Sequence, residues 1–289
     1  MSDFVRQNAV ATDFAGSDSW VILSPIEQSI KRKIESVGVP LKDWDINIYR
    51  GVLTGYNEAF IISTEKRDEI LSNCQTPEER QRTEELIRPI LRGRDIKRYG
   101  YDWSGLWLIN THNGIKGKLE RIHIEDYPAV KAHLDQYWDK ISTRADKGDT
   151  PYNLRNCAYL DDFNKPQIVW LELTDLPKFS LVKDMASLNT VFFMTGEHLS
   201  HIIGFLNSAI ITWYFHNCLG ARSGAGTNRW LKYTIEQLPI PPICDKVSNL
   251  VDNKNITTKF ESSEIDEACM DSFALNEEEK AVIRSFSVK

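Results

Sequence analysis

Apolar residues recur at helical spacing from Leu199 to Leu219, on more than one side of the helix that this spacing predicts. Such a helix has to be covered on two sides by other elements. Two short apolar runs precede it, Gln167–Leu173 and Thr190–Met194, and both contain the β-branched or aromatic residues typical of buried strands. One long, largely buried helix packed against strands predicts an α+β fold with a mixed arrangement of sheet and helix.

The N-terminal part predicts a capped helix followed by a hairpin. Ser24-Pro25-Ile26-Glu27 is a capping box with proline at the first helical position, so a helix is expected from Pro25 to about Ser36. Trp44–Arg50 alternates apolar and polar residues and ends at Gly51, and Phe60–Ile62 is a second short apolar run. We expect these two runs to pair as a hairpin.

Two further helices and a strand are predicted in the middle of the chain. Thr76 caps a charged helix that Pro89 should end, with a loop after it. Leu106–Ile109 is expected to be a buried strand. Apolar residues at helical spacing follow Pro128 as far as Ile141 and predict one more helix.

The run Pro239–Ile243 has too few backbone donors for a helix or a sheet, so we expect it to leave the folded body. The sequence beyond it is acidic, with one terminal helix predicted from about Asn276 to Phe286. The predicted organisation is a lead-in over residues 1–20, a domain over 21–243 with a long helix near its C-terminal third, and an acidic tail with a short helix over 244–289.

Composition narrows the class of protein. No apolar run approaches the roughly 20 residues that span a bilayer, and the N-terminus lacks a basic segment followed by an apolar one, so we expect a cytoplasmic protein with no membrane partner. The five cysteines are scattered without a C-x-x-C pair, which disfavours a disulfide framework or a zinc ribbon. The net charge of −6 argues against nucleic acid. However, acidic residues outnumber basic ones beyond Asp245, and the basic residues elsewhere are clustered.

Catalytic signatures are missing from the sequence. It has no N/D/S-P-P-Y/F, G-x-G-x-x-G, G-x-x-x-x-G-K-[ST], H-E-x-x-H or G-x-S-x-G motif. Glu172 lacks the lysine that a nuclease motif would place two residues later, and we interpret it as a strand-end carboxylate satisfied by amides. His198 and His201 have no third metal ligand at a recognisable spacing, so we interpret them as capping and packing residues.

Basic loops are the strongest functional signal in the residues themselves. Residues 88–98 place five cations in eleven residues, around a glycine that lets the backbone approach a partner. Phosphate binding and an arginine ledge paired with Glu78, Glu79, Glu84 and Glu85 of the preceding helix explain this equally well. Residues 221–233 combine glycines, small polar side chains and three cations, and suit either a phosphate backbone with base edges or a bland surface loop. For residues 111–118, a solvated loop is the more usual interpretation.

Several separated motifs resemble one known family. They are Ile48–Ile62, Leu86–Tyr99, Phe205-Leu-Asn-Ser208, Asn228-Arg-Trp230, Leu238-Pro-Ile-Pro-Pro242, and Asp266 followed by Leu275–Lys280. In this order they are similar to the TaqI-like C-terminal specificity domain of Eco57I-type restriction-modification enzymes and related adenine-N6 DNA methyltransferases. The resemblance covers roughly residues 20 to 285.

The resemblance implies a DNA target-recognition domain that reads duplex DNA for a separate adenine-N6 methyltransferase and, in many members, a nuclease. S-adenosylmethionine and Mg²⁺ would then belong to that catalytic part, with no catalytic residue, cofactor or metal in this chain. The upstream parts are not in this sequence, so we expect a fragment, a truncated product or a separate subunit. The alternative is a protein-interaction subunit that docks a methyltransferase with only minor DNA contact.

Candidate DNA contacts come from the three loops and from the glycine-broken segment after the predicted strand Trp44–Arg50. They are Arg50, Thr54, Arg92, Arg94, Lys97, Arg98, His112, Asn113, Lys116, Lys118, Arg222, Ser223, Asn228, Arg229 and Lys232. The resemblance further implies that Gly51, Gly55 and Asn57 hold a tight turn.

Overall fold

A computed structural model describes residues 23–219, 228–252 and 263–287 of the chain. Its helices in these ranges are α1 Pro25–Val37, α2 Asn57–Phe60, α3 Thr64–Ser72, α4 Pro77–Leu86, α5 Pro128–Asp135, α6 Trp138–Ile141, α7 Leu199–Leu206, α8 Ala209–Tyr214, α9 Lys232–Ile235, α10 Asp245–Asp252, α11 Ser263–Ser272 and α12 Glu277–Ser285. The strands are β1 Val39–Pro40, β2 Ile46–Arg50, β3 Ile61–Ser63, β4 Ile87–Leu91, β5 Ile96–Lys97, β6 Gly100–Tyr101, β7 Leu106–Ile109, β8 Gln167–Leu171, β9 Leu173–Thr174, β10 Ser180–Val182, β11 Ala186–Ser187, β12 Val191–Gly196, β13 Asn228–Arg229 and β14 Pro239–Ile240. The α+β class predicted from the sequence is confirmed.

The first sheet is antiparallel, has the strand order β10-β8-β12-β2 and is buried on both faces. Trp170 and Met194 face the main core with the C-terminal helices, whereas Val169 and Phe193 face a smaller apolar cluster on the other side. Because side chains alternate along a strand, burial of both faces requires the nearly continuous apolar runs seen in the sequence.

The second sheet has the order β11-β4-β7-β3, with β11 parallel to β4 and the other pairs antiparallel. Its apolar residues form a second core with helices α3 to α5, centred on residues such as Phe60, Ile90 and Val130. The third, smaller cluster contains Leu91 of β4 and Val169 of β8, so it connects the two sheets.

Two predictions for the N-terminal half are wrong. The runs at Trp44–Arg50 and Phe60–Ile62 do not form a hairpin, because β2 pairs with β12 in the first sheet and β3 pairs with β7 in the second. The expected loop after α4 is instead strand β4, with Pro89 opposite Trp107. Pairing of β4 with β11 begins only at Ile90, so Pro89 has a strand partner on one side alone, where a missing N–H is tolerated.

The prediction of one continuous helix from Leu199 to Leu219 is also wrong. It is broken into α7, α8 and a π-helical turn at Phe215–Leu219. The Ser208 hydroxyl accepts the Ile211 N–H at 3.3 Å and so begins α8. The Asn207 side chain exchanges two hydrogen bonds with the backbone of Phe179, at 3.0 and 2.9 Å. Burial on two sides is nevertheless observed, since residues on every side of α7 and α8 lie in the main core. The helix predicted after Pro128 is likewise divided, into α5 and α6.

The proline-rich run and the acidic tail belong to the folded body. Strand β14 pairs with β1, and Ile240 is fully buried. The described part of the tail contains three helices rather than one, and Val247, Ile265 and Phe273 are buried in the main core. The terminal helix predicted from Asn276 is confirmed as α12, and the domain limits at residues 20 and 243 stay predictions. Among the described residues, no helix has the length and apolar character needed to cross a membrane.

Candidate nucleic-acid interface

The ends of strands from both sheets meet at one place. Gly51, directly after β2, donates its N–H to Val191 O of β12 at 2.9 Å, and Val52 donates to Ser187 O of β11 at 2.7 Å. Leu188 donates to Leu91 O, the last residue of β4, at 3.2 Å. Strand β8 ends at the same place, because Leu171 pairs with Val191. We call the residues at or next to these strand ends the strand-end surface, and include Arg229 because its guanidinium lies 3.5 Å from Glu172. Its members are Arg50, Arg92, Arg94, Glu172, Asn189 and Arg229.

Two glycines permit this convergence. A Cβ atom on Gly51 would lie 2.2 Å from Leu188 O and 2.3 Å from Ser187 O. A Cβ on Gly93 would lie 2.0 Å from Leu171 Cδ2, so a larger residue there would have to push the Leu171 side chain aside. Gly55, with φ +69°, supplies the left-handed turn that the resemblance implies.

Arg50, Glu172 and Arg229 form a cluster on this surface. One Glu172 oxygen accepts a hydrogen bond from Arg50 Nη2, and the other lies 3.5 Å from Arg229 Nη2. The Arg50 guanidinium also lies over the Phe192 ring, 5.0 Å from its centroid. Glu172 is therefore satisfied by two guanidinium groups rather than by the amides predicted from the sequence.

Residues 92–98 divide into paired and unpaired cations. Arg92 binds Asp95 with both Nε and Nη2, at 3.1 and 2.9 Å. Burial raises the pKa of the Asp95 carboxyl, but its hydrogen bonds with Arg92 prevail and hold the pKa below its usual value. Lys97 lies 3.6 Å from Asp102. Arg94 is exposed, and the described part of the chain offers its guanidinium no ion-pair partner.

Arg98 has a mainly structural environment. It donates to Asn207 O from Nε at 3.1 Å and lies 3.5 Å from Asp266, so it joins the basic loop to the break between α7 and α8. The predicted ion pairs between the arginines of this loop and the glutamates of α4 are not observed among the described residues for Arg88, Arg92 or Arg94. Arg88 binds Asn164. On α4, Glu84 pairs with Arg67, and Glu79 accepts backbone N–H groups of Gln75 and Ala129.

The loop at residues 111–118 borders a cavity next to Arg50. This cavity, of ≈ 380 Å³, is lined by both Arg50 and His112 and also by Asn189. Burial lowers the pKa of His112, and its Nδ1 accepts the Gly114 N–H at 3.2 Å, so the neutral ring can present Nε2–H to a partner. The Asn113 amide is held by Asp149 and Asn156.

The two lysines of this loop differ in their partners. Lys118 pairs with Asp161. Lys116 is exposed and has no acidic partner among the residues described.

Thr54 does not belong to this surface. It is 1% exposed, and its hydroxyl donates to Asn57 Oδ1 at 2.6 Å. The buried Arg144 donates to Thr54 O at 2.6 Å and to Asn153 O, and so anchors the residue before the Gly55 turn. Thr54 was predicted as a DNA contact as part of the glycine-broken segment after β2, but its burial assigns it to the scaffold.

The remaining candidates among the described residues lie on or near the β9–β13 ribbon. Lys232 donates to Ile48 O at 3.3 Å and lies 3.6 Å from Glu236. The backbone of Asn228 pairs with Thr174. Arg222 and Ser223 lie outside the described residues.

The sequence analysis did not include Asn189 among the candidate DNA contacts, and it did not predict that Glu172 pairs with Arg50 and Arg229. Neither carries a local signal, because only the sheet pairing brings residues so far apart in sequence together. The packing interpretation is confirmed for His201, which is buried and bonds Pro241 O through Nε2 at 3.0 Å. The described residues contain no group of three histidine, cysteine or acidic side chains placed to hold a metal ion.

Fold and surface together define a non-repetitive α+β domain that presents cations and amides on loops at converging strand ends. Residues 88–240 match the TaqI-like C-terminal specificity domain, and the chain belongs to this family.

Relatives of known identity are consistent with that membership. The chain is 25% identical over 191 residues to the type II methyltransferase M.BstVI of Geobacillus stearothermophilus, a match covering 65% of this chain and 29% of that protein. Its fold is similar to the type IIL restriction-modification enzyme MmeI, solved in complex with DNA (TM-score 0.55, 13% identity, 95% of this chain and 38% of that one). It is also similar to the type IIG restriction endonuclease BpuSI (TM-score 0.52, 13% identity, 87% and 33%). The chain thus spans about a third of the length of these relatives.

Proposed function

We propose that this chain is the sequence-recognition module of a type II, IIG-like restriction-modification enzyme, and that it binds duplex DNA on the strand-end surface. The observation that carries the proposal is the convergence of four cations and an amide, from separate segments of the chain, at the joined ends of the two sheets. Cations on such loops neutralise phosphates, while amide and guanidinium groups read base edges.

The proposed division of labour places the chemistry elsewhere. A methyltransferase part, with or without a nuclease, would bind S-adenosylmethionine and Mg²⁺ and act on an adenine taken out of the duplex. Family membership and the likeness to MmeI and BpuSI support this arrangement. The residues of this chain would position the DNA and perform no chemical step themselves.

The first test is duplex binding at several salt concentrations. Each phosphate neutralised by a lysine or arginine releases counterions, so the logarithm of the binding constant should fall with the logarithm of salt by about 0.9 per contact. Fluorescence anisotropy with a labelled duplex of mixed sequence measures this slope. A chain that binds no duplex, alone or together with a cognate methyltransferase part, would contradict the proposal.

The structure selects which cations to change. Arg94→Ala combined with Lys116→Ala removes two exposed cations without breaking an ion pair among the described residues. We expect weaker binding to all duplexes and a salt slope reduced by about 1 for each cation that contacts a phosphate. The matched control is Lys42→Ala, an exposed lysine beyond the opposite end of β2. Equal effects of the control and the double variant would show that neither the strand-end surface nor the loop at residues 111–118 forms the binding face.

A specific observation also favours the second function, docking of a methyltransferase. Leu173 of β9 and Leu176 just after it are 49% and 52% exposed, and Tyr233 of α9 is 60% exposed. Exposed apolar groups of this kind suit a protein partner. If docking were the main role, Leu173→Ser with Tyr233→Ser would abolish co-elution with the methyltransferase part at high salt and leave DNA binding by the isolated chain unchanged.

A further inference from the structure

The cluster of Arg50, Glu172 and Arg229 has an unusual distribution of exposure. The side chains of Arg50 and Arg229 are 52% and 51% exposed, whereas that of Glu172 is only 19% exposed. The carboxylate therefore lies beneath the two guanidinium groups and contacts one of them with each oxygen. The cluster keeps a formal charge of +1 on the outer surface.

Rigid backbone fixes the carboxylate in this position. Glu172 O accepts the Trp230 N–H at 2.9 Å, and Trp230 is fully buried, with its ring stacked on Phe215 at 3.8 Å between centroids. Arg229 pairs with Leu173 across the β9–β13 ribbon. On the other side, Arg50 lies opposite Phe192 in the register of the first sheet. The three charged groups thus come from three segments whose positions the main core determines.

A partly buried carboxylate in this position competes with a DNA phosphate for the same donors. A phosphate that binds Arg50 or Arg229 has to share the guanidinium with Glu172 or displace it, and each charge-assisted contact that it displaces is subtracted from what it gains. Only a ligand whose acceptors replace those of Glu172 recovers the full interaction. A phosphate that binds without replacing Glu172 shares each guanidinium and gains less than it would from an unpaired arginine.

We propose that Glu172 is a specificity-determining residue that acts as an anionic latch, lowering the affinity of Arg50 and Arg229 for DNA of arbitrary sequence. This inference rests on the proposed function, because it concerns the same surface. Discrimination is a difference between affinities, and it can be gained by weakening the competing complexes. The expected signature is a substitution that makes non-specific binding tighter.

The test is Glu172→Gln in the full chain, with a labelled duplex of random sequence as the probe. The amide keeps the shape of the side chain and removes the charge, so we expect binding that is tighter by roughly 3- to 10-fold, since each exposed ion pair contributes little by itself. The salt slope should become steeper by about one to two, because the freed guanidinium groups reach phosphates. Arg50→Ala added to Glu172→Gln should remove a large part of the gain.

The matched control removes one negative charge by the same substitution at a position outside the strand-end surface. Glu69→Gln on α3 removes an exposed carboxylate paired with Lys66 at 2.6 Å and should leave the affinity within a factor of two. Glu172→Asp keeps the charge but shortens the reach to both arginines, so it should give a smaller gain than Glu172→Gln. It also keeps the test available if the glutamine variant does not fold.

The outcomes separate the two proposals. If the unchanged chain binds duplex DNA with a salt slope and both Glu172 variants bind no tighter, or bind more weakly while remaining folded, the latch is wrong and the proposed function stands. An equal gain in Glu69→Gln would show an effect of total charge alone and would also overturn the latch. If neither the unchanged chain nor its complex with the methyltransferase part binds duplex, the proposed function itself fails.

Discussion

His133 and His201 are buried, and each is joined to the backbone of a distant segment. His133 bonds Ala59 O through Nε2 at 2.9 Å. His201 bonds Pro241 O through Nε2 and accepts the Cys244 N–H through Nδ1, so it fixes the proline-rich run against α7. Burial lowers the pKa of both rings, as it does for His112. All three are expected to be neutral in the folded protein at neutral pH.

Stability should therefore fall on acidification before any carboxyl group titrates. The unfolded chain takes up protons as the pH drops below the ordinary histidine value of 6.5, whereas the folded chain resists this, so the free energy of unfolding decreases from there down to the lowered pKa values. Thermal unfolding between pH 7.5 and 5 measures the slope. His201→Gln, which keeps a donor for Pro241 O, should lower stability at pH 7.5 but flatten the slope. An unchanged slope would mean that His201 does not carry it.

At the scale of the element, the break between α7 and α8 depends on Ser208. Its hydroxyl accepts the Ile211 N–H and also donates to Phe205 O at 2.7 Å. Ser208→Ala removes this cap and should reduce the free energy of unfolding by about 1 kcal/mol. Urea denaturation checks this against Ser36→Ala, which removes an exposed hydroxyl that donates to Lys33 O and should cost much less. A neutral Ser208→Ala would indicate that the helix is continuous in solution.

Elements with a local signal were predictable from the sequence. The capping box at Ser24 is present in α1, and Thr76 caps α4 by accepting the Glu79 N–H. The buried strands β7, β8 and β12 are also near their predicted positions. In contrast, strand pairing follows contacts distant in sequence, so periodicity could not show that β2 and β3 belong to different sheets. The prediction of a loop at Pro89 was wrong for a related reason. Whether a strand tolerates a proline depends on which neighbouring strands pair with that residue, and the sequence does not show this.

The candidate site divides in the same way. Charge and glycine spacing indicated the loop around Gly93 and the cations Arg50, Arg94 and Arg229 that the structure brings to one surface. They could not distinguish an exposed side chain from a buried one, and Thr54 was therefore misplaced. They also could not show the ion pairs, because Glu172 is more than fifty residues from one of its partners and more than a hundred from the other.

At the scale of the whole molecule, the acidic tail contributes to the main core instead of following it. Phe273 is fully buried and packs edge-on against Phe205 of α7, with 5.8 Å between ring centroids. Glu279 of α12 accepts hydrogen bonds from Ser29 and Lys33 of α1. The first and last described helices are thus in contact, and the main core is made from both termini of the described chain.

We expect the tail and the rest of the main core to unfold as one cooperative unit. Phe273→Ala should lower the free energy of unfolding by about 3–5 kcal/mol, because it removes a buried ring and leaves a cavity. Glu278→Gln, an exposed position on the same tail, is the control and should change it by less than about 0.5 kcal/mol. Urea denaturation followed by tryptophan fluorescence reports on Trp170, Trp213 and Trp230, which are buried in the main core outside the tail. A Phe273→Ala protein that keeps the tryptophan transition unchanged, while the tail becomes sensitive to protease, would show that the tail is a separate unit.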